Sequence, residues 1–381
     1  MIERKLAELI KERLGTGKAI VVLGARQVGK TTLLRSLVNG ADTLWLNADD
    51  ESDRALFDEV SAVGFRPYLV GHTNVVIDEA QRIPDIGVKL KILQDAFGDE
   101  VQFFATGSSS FDLANKINEP LTGRKWQLQL HPVTALEMVA HHGLLTEQKL
   151  LDTRLRFGWY PEVIEHPEYA PELLAELAND YLYKDVLRLG GIRKSAEFVK
   201  LVKALAYQVG SEVSMSELGE TAGLDKTTAE KYVTLLEQAY IVFRLGSYSN
   251  NLRKELKTST KIYFYDVGIR NALIGDLSAP LGRSDIGHLF ENFVIAEIAK
   301  QRTALTVEPV GYFWRLSGGG EIDFVTGSHN AIDAYEIKWN PKAKARFPKP
   351  FLETYHPRST TIIHRENALQ QLLKLPDAPR L

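Results

Sequence analysis

The chain has 381 residues, of which 44% are hydrophobic and 25% are charged, so its composition is that of a globular protein and its length predicts two or three domains. A net charge of −3 argues against a strongly basic nucleic-acid binder and against an acidic tail, while it allows a local basic patch. The lack of cysteine excludes disulfides, cysteine-ligated zinc and cysteine nucleophiles, and it fits a cytoplasmic location.

Two patterns bear on export and membranes. The first fifteen residues are charged throughout and carry apolar residues at helical spacing, namely Ile2, Leu6, Leu9, Ile10 and Leu14. This spacing predicts an amphipathic helix and not a signal peptide. No apolar run approaches membrane-spanning length, so no membrane partner is expected.

Residues 24–31 read GARQVGKT, a complete GxxxxGKT phosphate-binding loop between the apolar run Ala19–Leu23 and a helix-like stretch at residues 32–38. Its glycines let successive backbone N–H groups point at phosphate oxygens, and the positive end of the following helix adds to that field. Lys30 is expected to reach the β- and γ-phosphates, and the Thr31 hydroxyl to bind Mg²⁺. The loop contacts phosphates only, so ATP and GTP are not distinguished. The predicted nucleotide-binding residues are Gly24, Ala25, Arg26, Gln27, Val28, Gly29, Lys30, Thr31 and Thr32.

The apolar strand predicted at Asn74–Asp78 ends in two carboxylates, Asp78 and Glu79. In a P-loop enzyme one such acid holds the Mg²⁺ shell, and the next orients or deprotonates the attacking water. Taken alone, the pattern also fits a strand that simply ends in solvated acids. Because the phosphate-binding loop precedes it, the functional interpretation is favoured, with Asp78 as a metal ligand and Glu79 as a catalytic residue.

Two further polar residues are candidates for the catalytic machinery. The strand predicted at residues 101–105 leads into Thr106, whose hydroxyl is suited to contact the γ-phosphate or the water, although such residues also cap helices very often. Arg124 is a candidate arginine finger, a charge brought to the transition state in cis or from a neighbouring chain. A surface arginine after a turn fits its sequence equally well.

Residues 18–135 resemble AAA-type ATPases, because GARQVGKT, VVIDEAQ, FFATGSSS and LTGRKWQLQLHPVTALE occur in that order. More narrowly, the chain resembles a bacterial and archaeal family of AAA-type ATPases that carry a C-terminal domain of unknown function. The segments FGWYP at residues 157–161 and YLYKDV at residues 181–186 extend this resemblance over nearly the whole chain. The resemblance implies that Thr106 or a neighbouring serine is a sensor and that Arg124 is the finger, but it fixes no biological role.

The middle of the chain is predicted to be helical and then to change pattern. Residues 151–192 are expected to form a lid or connector. Residues 193–275 give the order helix, helix, turn, helix and two strands, which is the order of a winged helix, with Ser214 and Asp225 as N-caps of its second and third helices. The loop between the two strands is the predicted wing, and it carries Arg253, Lys254 and Lys257.

Winged helices often read DNA with the helix that begins near Asp225. The positions expected to be exposed on this helix are Lys226, Thr227, Thr228, Glu230, Lys231 and Glu237. Their charge is mixed, whereas phosphate contacts favour a net basic surface. DNA contact and a protein-binding or lid role therefore both stay open for this segment.

The C-terminal region is predicted to contain a buried helix followed by three strands. Period-two alternation in the second of these strands places Ile322 on one face and Asp323 and Val325 on the other. The same alternation in the third strand places Glu336 and Lys338 on a common face. Two carboxylates and a lysine are thus predicted to meet on neighbouring strands.

Together with Glu291, which lies unusually for an acid inside the apolar pattern of the helix, these residues resemble the PD-(D/E)xK nuclease core. In such a site carboxylates bind a divalent metal that activates water, and a lysine orients or deprotonates the nucleophile. An edge hairpin carrying ordinary solvated charges is the alternative. The predicted site comprises Glu291, Asp323, Glu336 and Lys338, and the basic residues that follow without an intervening acid are Lys342, Lys344, Arg346 and Lys349.

The sequence therefore predicts an α/β protein with an AAA-type P-loop NTPase core at residues 1–150, a helical lid or connector at 151–192, a winged helix at 193–275 and a restriction-endonuclease-like domain at 276–381. The expected function is Mg²⁺-dependent ATP hydrolysis coupled to the handling of DNA or another nucleic acid, with strand cleavage left open. The alternative is a regulatory ATPase whose C-terminal half binds a protein partner and cuts nothing. A finger acting in trans would require a homo-oligomer.

Overall fold

A computed structural model describes residues 1–108, 120–180, 186, 195–249, 260–302, 311–316, 319–328 and 331–375. These residues form two compact units. The first, here called the N-terminal unit, comprises Met1–Pro132 and Gln238–Tyr240. The second, the C-terminal unit, comprises Val133–Glu237 and Ile241–Leu381. Ser109, most of the YLYKDV segment and the wing residues Arg253, Lys254 and Lys257 lie outside the described residues.

The N-terminal unit is built from parallel strands that alternate with helices. Its strands are β1 Ala19–Leu23, β2 Thr43–Asn47, β3 Asn74–Asp78, β4 Gln102–Gly107 and β5 Lys125–Gln129. Its helices are α1 Leu6–Arg13, α2 Lys30–Leu37, α3 Glu51–Ala55, α4 Ala62–Phe65 and α5 Ile86–Phe97, with 3₁₀ turns at Arg66–Leu69 and Ala80–Arg82. This alternation is the expected pattern of an α/β domain.

The five strands form one sheet in the order β2-β3-β4-β1-β5, and every pair of neighbours is parallel. All five residues of β1 are buried, as a central parallel strand requires. The pairings Leu23 with Gly107 and Ile77 with Ala105 bring the carboxyl ends of β1, β4 and β3 to the same edge. Ligands of open α/β sheets bind at this edge.

The core on one face of this sheet comes from the apolar side of α5. Ile86, Leu90, Leu93 and Phe97 recur at helical spacing and pack in one buried cluster with the side chains of β1, β3 and β4. The predicted N-terminal amphipathic helix is also present, shortened to α1. Its position is fixed by burial of apolar side chains, Ile10 being completely buried.

The C-terminal unit contains more helix and one larger sheet. Its helices are α6 Ala135–His142, α7 Leu144–Phe157, α8 Pro161–Glu165, α9 Ala170–Asp180, α10 Ser195–Tyr207, α11 Met215–Ala222, α12 Lys226–Gln238, α13 Val267–Ile274, α14 Ile286–Arg302, α15 Lys349–Tyr355 and α16 Ala368–Lys374, with a 3₁₀ turn at Pro167–Tyr169. Its strands are β6 Glu212–Val213, β7 Val242–Ser247, β8 Thr260–Phe264, β9 Tyr312–Arg315, β10 Glu321–Ser328, β11 Ala331–Lys338 and β12 Ser359–His364.

These seven strands form one sheet in the order β12-β11-β10-β9-β7-β8-β6. Segments that the sequence assigned to two separate domains therefore share a sheet. Parallel pairing of Gly246 with Tyr312 and of Ser247 with Phe313 makes the junction between β7 and β9. Hydrogen bonding between strands this far apart in the chain produces no pattern in the local sequence. The pairing of β7 with β9 was therefore not predicted.

Two successions of elements within this unit contain the predicted helices and strands, together with β6, α15 and β12, which were not predicted. Residues 195–264 run helix, short strand, helix, helix, strand, strand, and the Ser214 and Asp225 side chains accept from backbone N–H groups in the first turns of α11 and α12. From α14 onward the order is helix, three antiparallel strands, helix, and a strand parallel to β11.

The predicted alternation along β10 is wrong at one position. Ile322 and Val325 were placed on opposite faces, yet both lie in one buried apolar cluster. The register of β10 against β9 shifts between these two residues. A bulge of this kind changes the face on which the following side chains lie.

Among the residues that the structure describes, no helix combines the length and the apolar character needed to cross a bilayer.

Candidate functional site

The phosphate-binding loop follows β1 and leads into α2, as predicted. Gly24 lies against the backbone of Leu130, the residue that follows β5. A Cβ atom on Gly24 would come within 2.1 Å of the Leu130 carbonyl oxygen, so no larger residue fits there. Gly29, at the N-cap of α2, has a φ of 93°, which L side chains rarely adopt. These two glycines let the loop curl in front of the helix N-terminus, where anions are favoured.

Lys30 is the first residue of α2 and is buried, with 6% of its surface exposed. Its Nζ donates to the carbonyl oxygens of Gly24 (2.9 Å) and Ala25 (2.7 Å). These bonds hold the ammonium group inside the loop, where a phosphate group would be received.

Arg4 supports the loop from outside and was missed in the sequence. Its guanidinium donates to the carbonyl oxygens of Val28 (2.8 Å) and His131 (2.6 Å), and its side chain is buried. It thereby ties the phosphate-binding loop to the segment that follows β5. A single arginine that precedes a helix carries no local signal for such a role.

Asp78 stands at the end of β3 and joins the loop to the neighbouring strand. One carboxylate oxygen accepts from the Thr31 hydroxyl at 2.8 Å, and the other accepts from the Thr106 hydroxyl. Thr106 is completely buried at the end of β4, beside β3. The structure therefore brings together three of the predicted residues, Thr31, Asp78 and Thr106, in one hydrogen-bonded chain.

Glu79 follows Asp78 in a left-handed backbone conformation with a φ of 51°. Its N–H donates to the Thr106 hydroxyl at 3.1 Å. Its carboxylate accepts from the side-chain amide of Gln81 at 2.5 Å, and that amide also lies 3.2 Å from the Ser108 hydroxyl. Gln81 was not singled out in the sequence, and Ser108 was named only as one of the serines beside Thr106, because their contact depends on how the turn after β3 meets the end of β4.

The negative charge of Asp78 and Glu79 at this edge of the sheet is not neutralised by their partners. Within the described residues, Asp78 and Glu79 receive hydroxyl, amide and backbone N–H groups and form no ion pair with lysine or arginine. The Thr31 hydroxyl and the Asp78 carboxylate are hard oxygen donors, the kind that Mg²⁺ prefers. These residues therefore fit a magnesium ion that is also held by nucleotide phosphates.

Arg124 does not join this group. Ala19 N–H donates to the Arg124 carbonyl, and Ala19 pairs with Lys125 at the start of β1 and β5. The phosphate-binding loop leaves β1 at the other end, roughly 13 Å away along the strand. The Arg124 guanidinium instead binds Asp95. This placement is incompatible with a finger in cis, and a role in trans stays a prediction.

In the C-terminal unit, Asp323, Glu336 and Lys338 meet as predicted. The Lys338 Nζ lies 2.7 Å from an Asp323 oxygen and 2.9 Å from a Glu336 oxygen. The same Asp323 oxygen accepts the Ile337 N–H at 2.7 Å. Burial opposes the charge of Lys338, but Asp323 and Glu336 outweigh it and raise the pKa of the lysine. The group is thus held together by charge compensation.

Glu291 is buried on α14 and has partners that the sequence did not indicate. It accepts from the Tyr263 hydroxyl at 2.6 Å and lies 3.4 Å from the Lys261 Nζ. Lys261 in turn lies 2.5 Å from a Glu321 oxygen. Burial raises the pKa of Glu291 to about 7, against the opposing charge of Lys261.

The alternative of an edge hairpin with solvated charges is wrong. β10 and β11 are internal strands of the sheet, and Asp323 and Glu336 are only 7% and 4% exposed. Burial, together with the charge of Asp323, raises the pKa of Glu336 to about 7. Nevertheless, no three acidic or histidine side chains among the described residues are arranged to hold a metal ion. Lys338 occupies the position between the two strand carboxylates.

Two exposed surfaces of this unit are more basic than the net charge suggests. After β11, four cations are exposed and form no ion pair within the described part of the chain: Lys342, Lys344, Arg346 and Lys349. On α12, Glu230 and Glu237 both pair with Arg244, at 2.5 and 3.1 Å, so their negative charge is partly compensated. Lys226 and Lys231 remain exposed on that helix.

Comparisons with known proteins find family models along three parts of the chain. A family model described as an AAA domain matches residues 16–139. Two models described as domains of unknown function (DUF8612 and DUF4143) match residues 148–279 and 286–376.

Sequence similarity to three relatives covers most of the chain. Uncharacterized proteins of Mycobacterium tuberculosis and Mycobacterium bovis are each 29% identical over 343 residues, which cover 89% of this chain and 74% of theirs. An uncharacterized protein of Haemophilus influenzae is 23% identical over 279 residues, 70% of this chain and 66% of that protein.

The Walker-type ATPase of Pyrococcus abyssi shares the fold at 15% identity with a TM-score of 0.50, covering 72% of this chain and 96% of its own. At this identity the likeness concerns the fold alone. The family model and the parallel sheet support an AAA-type P-loop ATPase domain at residues 16–139, and this likeness agrees with its fold.

Proposed function

We propose that the N-terminal unit hydrolyses ATP with Mg²⁺. Lys30 and the loop N–H groups would hold the β- and γ-phosphates, and Thr31 and Asp78 would hold the metal. Glu79 would accept a proton from the attacking water or orient it, with Thr106 fixing both acids. The observation that carries this proposal is the chain of hydrogen bonds from Thr31 through Asp78 and Thr106 to the Glu79 backbone.

The oxygen donors and the charge of the site support the metal. Thr31 and Asp78 are 2.8 Å apart and offer neighbouring oxygen ligands. When bound, Mg²⁺ supplies positive charge that stabilises the charge developing on the transferred phosphoryl group. The protein contributes the orientation of these ligands, the placement of Lys30 and the acceptor for the water proton.

The test is ATP hydrolysis by the wild type and by the Glu79→Gln variant. The variant keeps the size of the side chain and should bind ATP normally, while its turnover should fall by about 100-fold or more, the range for loss of a general base. Glu8→Gln, an exposed change on α1, is the matched control and should leave turnover unchanged. Unaltered turnover in Glu79→Gln would remove Glu79 from the reaction.

For the C-terminal unit we propose the handling of nucleic acid. This proposal is supported by the element order of residues 195–264, which agrees with a winged helix, and by the order from α14 to β12, which resembles a restriction-endonuclease-like core. The exposed, unpaired cations after β11 suit a phosphate backbone, and Lys226 and Lys231 add positive charge at α12. These features favour nucleic acid over a protein partner.

Binding is better supported than cleavage. Asp323 and Glu336 resemble metal ligands of a nuclease, but both are bound to Lys338, and a metal would have to displace that lysine. The rival proposal, a regulatory ATPase with a protein partner, is favoured by this internal neutralisation and by the net charge of −3.

Binding and cleavage of DNA separate these proposals. Duplex, single-stranded and branched DNA would be tested with Mg²⁺ or Mn²⁺, with and without ATP. Replacing all four exposed cations by alanine (Lys342, Lys344, Arg346 and Lys349) should weaken binding by at least tenfold and flatten its salt dependence. Replacing Lys5, Lys11, Lys89 and Lys91 of the N-terminal unit is the charge-matched control. Cleavage abolished by Asp323→Ala would establish a nuclease, and no binding of any substrate would favour the protein partner.

A further inference from the structure

Gln81 occupies the short 3₁₀ turn that follows Glu79, and its side chain is buried with 9% exposed. Its amide nitrogen lies 2.5 Å from one Glu79 carboxylate oxygen and 3.2 Å from the Ser108 hydroxyl. An amide nitrogen carries two hydrogens, so both contacts can be donated at once. Gln81 thus links the carboxylate of Glu79 to the end of β4.

The anchor for this amide is rigid. Ser108 is 5% exposed and follows directly on β4, whose Thr106 binds Asp78 and the Glu79 N–H. The turn itself is held by burial of Ala80 and by the pair between Arg82 and Asp49, whose Nε and Oδ1 atoms are 3.1 Å apart. Gln81 therefore has little freedom to follow Glu79 if the glutamate moves.

Glu79 needs such a restraint more than most carboxylates. Its left-handed backbone conformation costs energy for a residue with a side chain, and it is maintained by the bond from its N–H to Thr106. That bond fixes the backbone but leaves the side-chain torsions undetermined. A base acts efficiently only when a further group fixes its orientation.

We propose that Gln81 is a positioning residue that holds one carboxylate oxygen of Glu79 and directs the other toward the attacking water. This inference rests on the proposed ATP hydrolysis. Gln81 contacts neither phosphate nor metal in this role, so its loss affects turnover and leaves nucleotide binding intact.

The test compares wild type with Gln81→Met, which preserves volume but removes the donor. Turnover should fall by about tenfold, because a small displacement of a catalytic group costs up to 100-fold. The KM and the Kd for ATP should change by less than about twofold, so that the loss falls on kcat.

Two further variants keep the test decisive. Ser108→Ala removes the anchor of Gln81 and should give a smaller fall in turnover, again with the Kd for ATP unchanged. Gln94→Met alters another buried glutamine, which lies on α5 and donates to the Gly17 carbonyl at 3.1 Å, and it should leave turnover unchanged. This control separates positioning from a general loss of packing.

The outcomes distinguish this inference from the proposal on which it rests. Wild-type turnover that depends on Glu79 but is unaffected by Gln81→Met would overturn the positioning role alone. A loss of ATP affinity equal to the loss of turnover would also overturn it. Absence of hydrolysis in the wild type, or turnover unaffected by Glu79→Gln, would overturn both.

Discussion

The two units carry similar acids in opposite electrostatic settings. In the N-terminal unit, Asp78 and Glu79 are held by hydroxyl and amide groups that carry no charge. In the C-terminal unit, Asp323 and Glu336 share the ammonium group of Lys338. The first site has negative charge left to compensate and is suited to a metal ion, whereas the second is already compensated by the protein. The partners of a carboxylate, more than the carboxylate itself, therefore indicate whether it serves chemistry or holds structure.

The largest expected effect concerns the lysine of the N-terminal site. Lys30 contacts backbone carbonyls of the phosphate-binding loop, so Lys30→Ala should leave the fold intact and reduce ATP affinity by at least 100-fold, through loss of the charge at the β- and γ-phosphates. Calorimetric titration with ATP measures this. Lys11→Ala, an exposed lysine of the same unit, should bind as the wild type does. Retained affinity in Lys30→Ala would exclude the loop as the nucleotide site.

Replacing the lysine of the C-terminal site should instead lower stability and leave ATP affinity unchanged. Lys338→Met leaves Asp323 and Glu336 without their cation, so the free energy of unfolding at pH 7 should fall by about 2 kcal/mol, discounted for the partial exposure of Lys338. ATP affinity should not change. Denaturant titration measures the free energy of unfolding, and calorimetric titration measures ATP affinity in the same preparation. Together they check the contrast with Lys30.

Acid should partly rescue this variant, because burial and the charge of Asp323 already raise the pKa of Glu336 to about 7, and the opposing charge of Lys338 is gone. The folded state then holds protons more tightly than the unfolded chain, and stability rises as the pH falls from 7 to 5. Lys342→Met, at an exposed position without an ion pair, is the control. Equal stability of Lys338→Met and wild type at pH 7 would contradict the charge compensation.

The smallest effect concerns Glu237 on α12. Burial raises its pKa to about 7, against the opposing charge of Arg244. A carboxyl group with a raised folded-state pKa binds its proton more tightly in the folded state, so the wild type should lose of the order of 1 kcal/mol of stability as the pH rises from 4.5 to 7. Glu237→Gln should remove this slope.

Thermal unfolding at several pH values between 4.5 and 8 measures that slope. The exposed Glu172→Gln change on α9 is its control and should keep the wild-type dependence. A slope that is identical in Glu237→Gln and wild type would mean that this carboxyl group is ionised at little cost in the folded state.

The sequence predicted those parts of the site that depend on local spacing. The phosphate-binding loop, the acids after β3 and the polar end of β4 each occupy a few adjacent residues, and the parallel sheet brings them together. Arg124 was not predictable in the same way, because its distance from the loop depends on which end of β5 it occupies. Gln81 and Ser108 are linked only through the neighbouring ends of β3 and β4.

In the C-terminal unit the same distinction holds. The shared face of Glu336 and Lys338 follows from alternation and is present. The partners Lys261 and Tyr263 lie on β8 and reach Glu291 through tertiary packing, which no short pattern records. The register shift in β10 also has no local signal in the sequence. For this reason Val325 was predicted to lie on the wrong face of the strand.

The most direct test of this account measures ATP hydrolysis and stability together for Asp78→Asn and Asp323→Asn. Asp78→Asn should lose at least 100-fold in Mg²⁺-dependent turnover and keep the wild-type free energy of unfolding within about 0.5 kcal/mol. Asp323→Asn should keep its turnover and lose about 1–2 kcal/mol of stability, because it leaves Lys338 with one carboxylate. Normal hydrolysis by Asp78→Asn, or an equal loss of turnover in both variants, would contradict the assignment of catalysis to the N-terminal acids.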